Sequence, residues 1–132
     1  MERLLVLSSK LNQINEVRFF LDGIFTEFRL DRTLFNRVFL GVSEALSNSI
    51  IHGNRFDVNK NVTLRVFFRS DFLVIEVVDE GKGFTFDCIE DPTQPVNLMN
   101  EKGRGIFLIR QLSDEMDYSD CGRKLLIKYK FN

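Results

Sequence analysis

Two stretches with helical spacing stand back to back in this chain, and the two strand-like runs that follow are only three residues apart. Leu11, Ile14, Val17, Leu21, Ile24 and Phe28 recur on one face, which predicts a helix over 11–28. Asp31 suits an N-cap for a second helix reaching about Ile51, with Phe35, Val38, Phe39, Val42, Leu46, Ser49 and Ile50 as its stripe and Gly53 suited to a left-handed C-cap. Val62 to Phe68 and Phe72 to Val78 are rich in β-branched and aromatic residues, and Arg69-Ser70-Asp71 fits a tight hairpin between them. Leu4 to Ser8 reads as a short strand, Asp79 to about Glu101 as loop, and Gly103 to Leu112 as a third helix entered through glycines. Met116 to Ser119 and Leu125 to Phe131 read as a closing hairpin. This order lacks the βαβ alternation of a doubly wound fold. It predicts an α+β, two-layer sandwich: a mostly antiparallel, mixed sheet with helices on one face.

At 132 residues with 44% hydrophobic and 28% charged side chains, the chain can bury a core without disulfides or metal. No repeat or linker divides it, so a single domain over 1–132 is expected. The net charge of −1 provides no basic field to recruit nucleic acid or anionic membrane. Cys88 and Cys121 form no metal-binding spacing and read as free thiols of a reducing compartment. Leu4-Leu5-Val6-Leu7 is too short for a signal-peptide core or a membrane span, so a cytoplasmic protein is expected.

Three segments carry chemistry. In the second helix, Glu44 and Asn48 are four apart and share a face away from the centre of the apolar stripe. A carboxylate and an amide carbonyl stacked in this way are hard oxygen ligands of the type Mg²⁺ accepts, and a carboxylate beside a bound hydroxyl can act as a general base. At the end of the strand 72–78, Asp79-Glu80-Gly81-Lys82-Gly83 offers a hydrogen-bond acceptor for an exocyclic amine. Its glycines let backbone approach a planar ligand closely. Lys102-Gly103-Arg104-Gly105 enters the third helix, where free N–H groups and basic side chains suit phosphate. The pattern is neither a P-loop nor a Rossmann fingerprint.

Taken in order, these segments resemble the GHKL ATPases with the Bergerat nucleotide-binding fold. The run E-A-x-x-N-x-x-x-H-G at 44–53 looks like their N box, D-E-G-K-G-F at 79–84 their first glycine box, and G-R-G-I at 103–106 their second. Within that superfamily the chain is similar to the anti-sigma-factor serine kinases of partner-switching systems. The resemblance implies ATP and Mg²⁺ as cofactors. By it, Asn48 holds the metal, Glu44 is the base acting on a substrate hydroxyl, and Asp79 binds the adenine amino group. Gly81 and Gly83 lie beside the base, while Lys102, Gly103, Arg104 and Gly105 form the phosphate lid. The family's Gly-Thr pair before the last strand has no counterpart in Cys121-Gly122-Arg123-Lys124, and Lys102 stands where a glycine is often found.

The implied function is an ATP-dependent protein serine kinase that sequesters a sigma factor and phosphorylates a STAS-domain anti-anti-sigma factor, as a homodimer formed through the sheet. The alternatives are a nucleotide-responsive binding module that transfers no phosphate, and a stand-alone histidine-kinase catalytic domain working in trans. Of the four phenylalanines Phe19, Phe20, Phe25 and Phe28, Phe19 falls opposite the apolar stripe and is expected at the surface. Arg123, Lys124, Lys128 and Lys130 are expected to form a solvated strand edge.

Overall fold

A computed structural model describes residues 1–81 and 96–131; of residues 96–102 and 121 it describes only the backbone. The elements are β1 (Glu2–Ser8), a 3₁₀ turn (Leu11–Gln13), α1 (Ile14–Glu27), α2 (Arg32–Asn48) and a π turn (Ser49–Gly53). Then come β2 (Asn61–Arg69), β3 (Phe72–Val78), α3 (Val96–Leu112), β4 (Glu115–Ser119) and β5 (Lys124–Lys130). The strands form one sheet in the order β1-β2-β3-β5-β4. Every pairing among the described strands is antiparallel, so the expected mixed character is absent there.

The helical stripes supply the core. Val17, Leu21, Ile24 and Phe25 of α1 are buried, as are Leu34, Phe35, Val38, Val42, Ala45 and Leu46 of α2. They meet Leu64, Val66, Leu73, Ile75, Val77 and Ile127, which alternate along one sheet face. Phe25 and Phe35 join the helices edge to face, with centroids 5.2 Å apart. Asp31 caps α2 as expected, accepting the Thr33 N–H at 2.9 Å, and hydrogen bonds from Thr33 hold its carboxyl below the usual carboxylate range. Phe19 is 74% exposed, in keeping with its place opposite the stripe.

Three expectations about local structure need correcting. The third helix starts at Val96, so Gly103 and Gly105 lie within it and not at its mouth. Gly53 is not left-handed: α2 gives way to the π turn, and Gly53 serves close packing instead. β5 is an interior strand, so its lysines form no sheet edge. Lys124 and Lys128 stand on the face away from the helices, where Lys128 pairs with Glu115 at 3.3 Å.

One contact fixes how close α2 lies to the sheet. A Cβ placed on Gly41 would sit 2.2 Å from the Tyr129 hydroxyl, which is buried with no hydrogen-bond partner among the described residues. Gly41→Ala is therefore expected to destabilise by about 1–3 kcal/mol through overpacking. Tyr129→Phe should stay within about 1 kcal/mol of wild type, because the hydroxyl it removes makes no bond. The double variant should recover most of the Gly41→Ala loss. Denaturant unfolding of the four proteins checks this, and strictly additive losses would refute the contact.

Candidate functional site

Glu44 and Asn48 leave α2 on the face that the sequence places away from the apolar stripe. That face is not open to solvent, because α3 packs across it. Asn48 is only 7% exposed and Glu44 is half-buried. A Cβ on Gly105 would lie 3.0 Å from Asn48 Nδ2, 3.1 Å from Asn48 Oδ1 and 3.3 Å from Glu44 Oε2. The carboxylate and the amide thus converge on one point, and α3 reaches that point because residue 105 has no side chain. Asn48 Nδ2 is buried there with no partner among the described residues. Buried amides are ordinarily satisfied, so the orphaned one makes Asn48 a candidate contact for a bound group.

The second cluster forms where the π turn meets the end of β3. Widening the helix by one residue per turn carries Gly53 against the Asp79 carboxylate. A Cβ on Gly53 would stand 2.5 Å from Asp79 Oδ2. Asp79 is 4% exposed, and its N–H donates to the Arg123 carbonyl at 2.9 Å. Asp79 Oδ1 accepts the Gly81 N–H at 2.8 Å, which curls the chain tightly after β3. Gly81 lies directly on Gly53: a Cβ there would be 2.1 Å from the Gly53 carbonyl oxygen. The N-box segment and the first glycine segment therefore touch backbone to backbone.

The two clusters are joined by one short piece of chain, since the π turn runs from the residue after Asn48 to Gly53. A ligand with a planar amine-bearing end and an anionic end could address both. Tyr118 of β4, which the sequence does not single out, lies near enough to Asp79 to feel its charge. Burial first, and that charge second, push the phenol's pKa up, and Arg110 opposes them.

The remaining expected residues divide. Gly105 joins the Glu44–Asn48 cluster. Gly103 and Arg104 are exposed and do not, and a Cβ on Gly103 would meet nothing within 4 Å. Because both glycines lie inside α3, their amides belong to the helix, and the free helix N-terminus expected at this point is absent. Gly83, Cys88 and the segment 82–95 lie outside the described residues, as do the side chains of Lys102 and Cys121. Asn54 is not among the residues the sequence singles out, and Gly53 enters the site only as the last residue of the N-box run. The signal for them is only their position directly after the N-box histidine.

Comparison with known proteins gives the family. The histidine kinase-like ATPase domain matches the chain over residues 7–129. Serine-protein kinase RsbW of Bacillus subtilis (strain 168) is 34% identical over 83 residues, covering 58% of this chain and 52% of that protein. The chain thus spans about half the length of that relative. An anti-sigma F factor of Clostridium beijerinckii is 31% identical over 113 residues, covering 79% of this chain and 78% of its own length. The crystal structure of the RsbU and RsbW domains of a Mycobacterium tuberculosis protein aligns over 98% of this chain and 32% of its own. Its TM-score is 0.69 at 16% identity, so it shares the fold. No described helix is long and apolar enough to cross a membrane. The family match takes in β2, β3, β4, nearly all of β5 and the last two residues of β1, together with both clusters, and this chain belongs to the histidine kinase-like ATPase domain family.

Proposed function

We propose that this chain is an ATP-dependent protein serine kinase that also acts as an anti-sigma factor. It holds a sigma factor in the cytoplasm and phosphorylates a serine of a STAS-domain antagonist. The observation that carries the reading is the convergence of the Glu44 carboxylate and the orphaned Asn48 amide at one point, linked by the π turn to the buried Asp79. The names of the relatives, a serine-protein kinase and an anti-sigma F factor, support the same choice.

In this reading Asp79 accepts the adenine amine, with Gly81 and Gly83 beside the ring. Asn48 offers its carbonyl oxygen to Mg²⁺, a hard donor suited to that ion. The metal, when bound with the nucleotide, neutralises phosphate charge. Of the expected lid residues, Gly105 lies at the Glu44–Asn48 cluster, and Lys102, Gly103 and Arg104 reach the phosphates only once this part of α3 has moved. Glu44 takes the proton of the substrate serine as its oxygen bonds to the γ-phosphorus and the bond to ADP breaks. Positioning and charge stabilisation are most of what this transfer requires. Since α3 rests on Glu44 and Asn48, its Gly105 region must draw back to admit the phosphates. The exposed Leu4 and Val6 on the sheet face away from the helices fit a homodimer through that face.

Calorimetry with ATP and ADP, with and without Mg²⁺, tests the site. Wild type should bind both, and Asp79→Asn should weaken binding by about tenfold to a hundredfold, the worth of a charge-assisted hydrogen bond. Incubation with γ-labelled ATP and a STAS-domain partner should leave acid-stable label on the partner. Nucleotide binding without label would point to a switch module, acid-labile label to a histidine kinase, and no binding at all would overturn the reading.

A further inference from the structure

Asn54 follows the π turn and is 2% exposed. Its amide is fully engaged as a donor: Nδ2 donates to Ser9 Oγ and to the Asn61 carbonyl, each at 3.0 Å. Its Oδ1 accepts the Glu80 N–H at 2.9 Å. Ser9 is as deeply buried, and its hydroxyl donates to the Lys60 carbonyl at 2.6 Å. Glu80 closes the ring, since its carboxylate accepts the Asn61 N–H. One side chain therefore ties the residue after β1, the first residue of β2 and the residue between Asp79 and Gly81 to the end of the helix that carries Glu44 and Asn48.

The main chain around Asn54 is held just as firmly. Its N–H donates to the Ser49 carbonyl at 2.7 Å, and its carbonyl accepts the Asp57 N–H at 3.0 Å. Arg55 and Phe56 follow at φ 53° and 60°, in the left-handed region that side chains disfavour. Two such residues in succession persist only where the surroundings over-determine them.

Asp79 and Glu80 are anchored at consecutive amides, one by the Arg123 carbonyl and the other by Asn54. With both in place, the turn cannot pivot about the end of β3. With the second removed, Glu80 keeps only its carboxylate's hold on Asn61, and the turn that carries the Asp79 carboxylate gains freedom to shift. We infer that Asn54 is a positioning residue for base recognition, which aims Asp79 by fixing the Glu80 backbone. This rests on the nucleotide reading above.

ATP and GTP separate that role from simple support of the fold. Adenine presents an amine to the carboxylate where guanine presents a carbonyl, so the ratio of the two affinities reports where Asp79 points. Partial unfolding lowers both affinities together and leaves their ratio alone. Calorimetry on wild type, Asn54→Ala and Ser9→Ala, each with a thermal melt, gives the ratio. Asn54→Ala should weaken ATP binding about tenfold and leave GTP unchanged, as expected for one lost hydrogen bond. Ser9→Ala removes one acceptor but keeps the amide, and should lower the ratio about threefold. A wild-type ratio in both variants overturns the inference while the nucleotide reading stands. Should Asn54→Ala fail to fold, the Ser9→Ala ratio decides. A wild type that does not prefer ATP to GTP sinks the nucleotide reading, and this inference with it.

Discussion

Glu44→Gln should lower phosphotransfer to the STAS-domain partner by about a hundredfold to ten-thousandfold, the range for a removed general base. It should leave ATP affinity within about twofold, since the base forms no part of the adenine contact. Glutamine has the same length and volume, so its contact with Gly105, where Glu44 Oε2 lies 3.3 Å from a notional Cβ, stays filled. What goes is the capacity to take up a proton. Glutamine's amide oxygen is far less basic, and the serine hydroxyl has nowhere to send its hydrogen as the new bond forms. Single-turnover labelling beside ATP calorimetry separates the two effects. Transfer at the wild-type rate would remove Glu44 from the chemistry and leave Asn48 as the functional group of that cluster.

Gly81→Ala should produce the largest loss of binding. The added carbon would fall 2.1 Å from the Gly53 carbonyl oxygen and 2.4 Å from its carbon. Both are backbone atoms of the π turn, so neither can rotate away as a side-chain tip could. Either the turn or the Asp79–Gly81 curl must shift. The Gly81 N–H holds Asp79 Oδ1 at 2.8 Å, so a shift of the curl disturbs the carboxylate directly. A loss of about 1–3 kcal/mol in stability is expected from the overpacking. Losing a charge-assisted hydrogen bond to the base adds a fall in ATP affinity on the order of a hundredfold. Gly23→Ala is the control: it lies in α1, where a Cβ meets nothing within 4 Å. There the same change should stabilise by about 0.5–1 kcal/mol through helix propensity. Similar melting shifts of the same sign in both variants would contradict the close approach at Gly81.

The helices and strands were legible because their stripes are made by packing against a single sheet. Val17, Leu21 and Ile24, or Leu64, Val66 and Ile75, repeat at the period of their element, and burial follows period. The start of the third helix is hidden in the sequence because glycine is a helix breaker by propensity. At Gly105, close packing on Asn48 and Glu44 accompanies the glycine, and a Cβ would press on both side chains at 3.0–3.3 Å. The π turn was invisible because nothing in Ser49 to Gly53 distinguishes a bond to the fifth residue back from one to the fourth. Glu44, Asn48 and Asp79 stood out by residue type and spacing. Asn54 did not, since its task is defined by Ser9, Asn61 and Glu80, which are brought to it only by the fold.

The covering of Glu44 and Asn48 by α3 bears on time as well as space. The segment that lies on them contains Gly103 and Gly105, and each glycine weakens a helix by about 1 kcal/mol relative to alanine. The cover is thus built from the residues least able to keep it closed. Under the proposed function, encounter with a nucleotide does not by itself amount to binding, because the phosphates would seat only in molecules whose α3 has loosened. On that reading diffusion would set how often ATP arrives, and opening of these few helical residues how often it is admitted. A partner that steadied or unwound this part of α3 would change the pace of the whole cycle without touching a single group that handles phosphate.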